Sequence, residues 1–204
     1  MRRLTRENLV WGGIFLLLQV LILARNFIIG YVDFYWFCDF APAVFAAFFF
    51  CNAPQGIKGL IHIGLFGQLL YTVSFLSAAF FHIPLFGFPI DFTVDVFSIS
   101  ITFIMHQSAI LALIATRRIR ATTWSILYSA IILLTIYVSV LSLADPVLAM
   151  QENYNYIYSG DSLRFIPFYR QLWIGVAMCV AVLPAFACQK IPEAFRNLHH
   201  ITQD

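Results

Sequence analysis

Asp91, Asp95, Ser98, Thr102 and His106 follow one another at steps of four, three, four and four inside an otherwise apolar stretch. At 3.6 residues per turn that spacing stacks them on one face of a helix. Polar groups inside a bilayer are costly and are kept where they face protein or water. Two readings fit. In one, the stripe glues helices together: Ser98 and Thr102 satisfy backbone carbonyls, His106 stays neutral, and the aspartates lie in the headgroup layer. In the other, it lines a water-accessible groove that ends at His106. His62 and His82 are expected near span ends and His199 and His200 in the tail, which leaves His106 as the histidine near mid-membrane.

A second cluster reads Tyr35, Trp36, Phe37, Cys38, Asp39, Phe40, Ala41, Pro42. Pro42 has no amide hydrogen for the carbonyl of Cys38, so a helix kinks there or effectively starts just before it. In the second case Asp39 or its neighbour caps the helix, and Cys38 lies at the positive end of the dipole, where a thiolate nucleophile is favoured. The plainer reading is a small core hydrophobe, a common role for free cysteine. Cys179 is the competing thiol. Arg25, next to Asn26, either snorkels to the headgroups, pairs with Asp33, Asp39 or Asp95, or holds a lipid phosphate.

These residues are positioned by a chain of 204 residues that is 61% apolar and 11% charged, with a mean hydropathy of +0.85. Soluble domains carry about 25% charge, and one helical crossing needs about 20 apolar residues. The apolar runs are continuous, without the period of two that a barrel strand requires. The expected fold is therefore all-α: a polytopic membrane protein, a six-helix bundle forming one domain over residues 1–204. Its spans are predicted near 9–27, 34–51, 60–81, 93–116, 121–144 and 171–188. Asn52, Pro54 and Gly56 are read as closing the second span.

Counting alternate loops places nine basic residues on one side: Arg2, Arg3, Arg6, Lys58, Arg117, Arg118, Arg120, Lys190 and Arg196. Arg164 and Arg170 fall on the other, so both termini are expected to be cytoplasmic. The apolar run after Arg6 lacks a cleavage site and reads as an uncleaved first span. The net charge of +2, scattered through short loops, argues against nucleic-acid binding. No CxxC, HExxH, Walker loop or GxGxxG occurs, so no metal, cofactor or disulfide framework is expected. The long loop 145–167 carries Tyr154, Tyr156, Tyr158, Phe165 and Ile166 and is expected to lie partly ordered over the outer mouth.

With these boundaries, rise per residue puts Cys38 about 6 Å and His106 about 20 Å below the outer edge, too far apart to meet. Shifting the second helix to start near Tyr31 and the fourth near Phe97 brings the depths to about 10 and 14 Å.

A cysteine near the start of the second span, a lone histidine inside the fourth, and Asn153-Tyr154 or Asn155-Tyr156 after the fifth together resemble the YwaF-type six-helix membrane proteins. Trp36 stands where that pattern has a histidine. More distantly, the layout is similar to the androgen-induced-gene class of membrane lipid hydrolases, with related acyltransferases. The resemblance implies that His106 removes the proton of Cys38, which attacks a lipid ester and forms an acyl-enzyme. Thr102 would orient His106, Asp95, Ser98, Arg25 and Asp39 would support the site, and backbone amides near Pro42 are candidate oxyanion donors. Membrane lipids would be the partners. The rival readings are a small transporter or proton-coupled carrier, in which His106 titrates, and a non-catalytic subunit that binds another protein or a second copy. No pair of broken helices, the usual pointer to a carrier site, is evident in the sequence.

Overall fold

A computed structural model describes residues 5–30, 36–83, 85, 92–93, 95–143 and 168–191. The loop 145–167, the Asn-Tyr pairs, Asp33, Asp91 and both chain ends lie outside the described residues. Helix α1 spans Arg6–Ile28; Thr5 caps it by accepting the Asn8 amide at 3.2 Å. Helix α2 spans Phe37–Phe50 and α3 spans Pro54–Phe81. Pro54 therefore opens α3 at its first position, where a missing amide costs nothing. The helix thus begins six residues before the predicted start at residue 60, because a proline in sequence marks a first turn as readily as a break. The turn between α2 and α3 passes through Asn52 at φ 50°, a left-handed conformation that asparagine tolerates.

Helix α4, Val96–Met105, and α5, Ser108–Ala115, meet at an angle of 51°. No proline or glycine lies at the bend. Gln68 of α3 causes it: its Oε1 accepts the Ala109 amide at 2.7 Å and its Nε2 donates to Ser108 Oγ at 2.9 Å. That amide would otherwise bond the Met105 carbonyl, so an inserted side chain breaks the ladder. Helix α6 spans Thr123–Leu143. Helix α7, Tyr169–Ile191, contains a π-helical turn at Met178–Val182.

Among the described residues four helices, α1, α3, α6 and α7, are long and apolar enough to cross a membrane, or five if the bent pair α4–α5 is one span. Helix α2 has 14 residues, short of a full crossing. No strand occurs among the described residues. The chain is an all-helical membrane protein, with large aliphatic and aromatic side chains such as Leu17, Phe80 and Trp124 exposed around it.

The largest buried cluster joins Phe15 of α1, Phe45 and Phe49 of α2 and Leu60 and Ile61 of α3. Helices α3 and α6 approach closely at Gly59, where a Cβ would stand 2.7 Å from the Ser125 carbonyl oxygen. Ser129 Oγ donates to the Gly59 carbonyl at 2.9 Å across that contact. Small residues with an interhelical hydroxyl bond are the usual glue of membrane helices.

Candidate functional site

Beside that core the helices line a half-open cavity of about 580 Å³ whose walls include Arg25, Cys38, Asp39, Tyr71, Thr102 and His106. The rest of the wall is mainly apolar, with Trp36 and Trp173 among it. Cys38 is the second residue of α2, yet it packs against the buried cluster that Leu18 and Ile22 of α1 form with Ile101 and Met105 of α4. Those two α4 residues lie about 8 and 14 Å along their helix. The first turn of α2 therefore lies beside the later turns of α4, and Cys38 lines the same cavity as Met105 and His106. The predicted boundary at residue 34 obscured that arrangement.

Two side chains from α1 hold this end of α2. Gln19 Nε2 donates to the Asp39 carbonyl at 2.8 Å, and its Oε1 accepts the Ala43 amide at 3.0 Å. The amide is intercepted from the Asp39 carbonyl, its ordinary i−4 acceptor, by one side chain serving both groups. The Ala43 amide, the nearest expected oxyanion donor beside Pro42, is thus already engaged. Asn26, 1% exposed, donates from Nδ2 to Asp39 Oδ1 at 3.5 Å and accepts from Arg25 Nη1 at 2.7 Å. Arg25 is joined to Asp39 through Asn26.

His106 sits at the bend as the C-cap of α4. Its Nδ1 lies 2.7 Å from the Thr102 carbonyl oxygen, which can only accept. In the neutral ring Nδ1 therefore carries the proton and Nε2 the lone pair. The ring stacks on Tyr71 of α3, with centroids 3.6 Å apart and planes 10° from parallel. Thr102 acts on His106 through its backbone, while its hydroxyl donates to the Ser98 carbonyl at 2.7 Å. Cys38 and His106 share the cavity without a hydrogen bond between them.

The remaining stripe residues stand apart. Ser98 is buried, and its amide donates to Asp95 Oδ1 at 2.9 Å, making exposed Asp95 the cap of α4. Neither lines the cavity. Gln107 bonds Thr72 of α3 at 2.9 Å, closing the other side of the bend. Cys179, the competing thiol, is exposed on the π-helical turn, as are Cys51 and Cys188 elsewhere.

The sequence reading missed Tyr71, Gln68 and Gln19. A signal for the first two was present, since Gln68, Tyr71 and Thr72 put polar groups one turn apart inside an apolar span. No family model, curated protein or solved structure matches the chain.

Proposed function

We propose that the protein is a six-helix membrane enzyme that cleaves or transfers the acyl group of a lipid ester, with Cys38 as nucleophile and His106 as its base. The observation that carries this reading is the ring orientation of His106: the Thr102 carbonyl fixes the proton on Nδ1, and Nε2 is left as a base in the cavity that Cys38 shares. The thiol proton passes to Nε2 as sulfur bonds to the ester carbonyl carbon. The C–O bond then breaks, and the alcohol leaves with that proton. Water, or a second hydroxyl, attacks the thioester and returns the thiol. A mainly apolar wall suits an acyl chain. In this reading α2 is a short sixth crossing, and the nine-to-two distribution of basic residues puts both termini in the cytoplasm and loop 145–167 outside.

The test is reaction of the protein in lipid nanodiscs with a thiol-reactive probe bearing an acyl tail, mapped by peptide mass spectrometry. Cys38 should react faster than the exposed Cys51, Cys179 and Cys188, and His106→Ala should slow it at least about a hundredfold, the lower range for a general base. Equal labelling of all four, indifferent to His106, would sink the enzyme reading.

One observation favours a carrier instead. The bend after Met105 and the π-helical turn of α7 both contribute to the cavity wall, and irregular helices at mid-membrane often mark transport sites. Proton flux into proteoliposomes that His106→Ala abolishes, without Cys38 labelling, would select that reading.

A further inference from the structure

The guanidinium of Arg25 is only partly used. Its Nη1 is engaged by Asn26, while its Nε is buried and has no hydrogen-bond partner among the described residues. A buried donor without an acceptor among the described residues carries an unmet hydrogen bond. The Nε edge of a guanidinium, together with Nη2, is the fork that takes a carboxylate or phosphate with two parallel bonds. Asn26 bridges Arg25 and Asp39, accepting from Nη1 of the one and donating to Oδ1 of the other. Arg25 lines the same cavity as Cys38 and His106, and the wall beyond it is mainly apolar.

We infer that the cavity binds a single-chain amphiphile with an anionic head, the carboxylate or phosphate seated on the free edge of Arg25 and the chain running along the apolar wall. Charge complementarity names the head. Size names the chain: a cavity of about 580 Å³ falls within the roughly 300–1,000 Å³ range of sites that enclose one drug-sized molecule. A two-chain phospholipid would leave a chain in the bilayer. Asn26 is the positioning residue: it holds Nη1 of Arg25, is itself bonded to Asp39, and so aims the other edge. This inference builds on the reading of the cavity as the lipid site, but it does not require Cys38 to be a nucleophile.

Binding to the Cys38→Ala protein separates the two claims, since that variant cannot turn over and still presents Arg25. Native mass spectrometry would compare a long-chain fatty acid, a lysophosphatidate, a neutral monoacylglycerol of the same chain length, and inorganic phosphate alone. Both anionic amphiphiles should bind at least tenfold tighter than the monoacylglycerol, and inorganic phosphate should bind far more weakly than either. A preference for the fatty acid would assign a carboxylate head, and one for the lysophosphatidate a phosphate head. Arg25→Gln should remove the preference for anions while leaving monoacylglycerol binding in place, and Arg25→Lys, which keeps charge but loses the fork, should fall between. Retained monoacylglycerol binding also reports that the Arg25→Gln protein is folded. Equal binding of anionic and neutral chains in the Arg25 protein, or an anion preference that survives Arg25→Gln, would overturn the inference. Inorganic phosphate binding as tightly as the lysophosphatidate would do so too.

Discussion

His62 and His106 are both histidines inside apolar helices, and the protein treats them in opposite ways. His62 is wholly buried in α3, edge-on to Phe186 of α7 with ring centroids 5.6 Å apart, and neither ring nitrogen has a hydrogen-bond partner among the described residues. His106 has one nitrogen anchored, one ring face covered by Tyr71, and a cavity beside it. The difference teaches that burial alone does not make a site. What distinguishes His106 is the bend at Met105, which turns the ring out of the helix ladder, and a backbone acceptor that leaves one nitrogen available.

Replacing each ring with phenylalanine separates the two histidines most widely. His106→Phe keeps a ring to stack on Tyr71 but removes Nε2, and should lower acyl transfer by about 10²–10⁴-fold, the usual contribution of a general base. His62→Phe should leave the rate unchanged. Combining His106→Phe with Cys38→Ala should cost no more than either alone, because a nucleophile and its base act as a unit. Equal rate losses at the two histidines would show that neither acts as a base.

The bend itself comes next. Gln68→Leu removes the acceptor for the Ala109 amide and the donor to Ser108. It should destabilise the protein by about 1–3 kcal/mol if the amide stays unpartnered. If α4 and α5 straighten instead, stability is regained and His106 leaves the cavity, so probe labelling of Cys38 falls. Thermal unfolding and labelling, read together, tell these outcomes apart. Gln19→Leu should give a similar loss of stability, since the Ala43 amide and the Asp39 carbonyl depend on the same device. Unchanged stability and labelling in both variants would mean that the inserted amides shape nothing.

These two glutamines also mark where sequence reading runs out. The apolar runs and their lengths reveal a helical membrane protein, because the bilayer leaves few other structures. The spacing from Asp95 to His106 reveals a shared face. The break within that face is invisible locally: its cause is a side chain 41 positions earlier in sequence. The same limit hid the meeting of Cys38 and His106 in one cavity. Depth arithmetic from assumed span edges cannot see that the first turn of α2 lies beside the later turns of α4, held by Gln19 and Asn26 from another helix. Reading Pro54 as a breaker rather than a helix start placed His62 at a span edge, although it is the ninth residue of α3. Tyr71 looked like one aromatic among many, and only the bend of a neighbouring helix gives it a histidine to stack on.

His62 carries two buried nitrogens without partners among the described residues, so His62→Phe removes an unmet polar requirement while keeping an aromatic ring against Phe186. It should raise stability by about 1–3 kcal/mol, seen as a higher unfolding temperature in detergent. His106→Phe should not, since it deletes the bond to the Thr102 carbonyl. A fall in stability for His62→Phe would mean that His62 is matched to a bonding group absent from the described residues.

The smallest expected effect concerns the far end of the stripe that contains His106. Asp95 caps α4, and hydrogen bonding from Ser98 holds its carboxyl below the ordinary aspartate value of 3.8. A carboxyl depressed by folding contributes stability that is present above its unfolded value and is lost as pH falls through the folded one. The unfolding temperature should therefore decline on acidification more steeply in the Asp95 protein than in Asp95→Asn, which caps a helix comparably but does not titrate. Asp95→Ala should be less stable than both at neutral pH. None of the three should differ in turnover or labelling of Cys38, because exposed Asp95 caps the helix and does not line the cavity. A rate that followed the charge of Asp95 would make the stripe a continuous polar path to His106, and would move the balance from enzyme toward proton-coupled carrier.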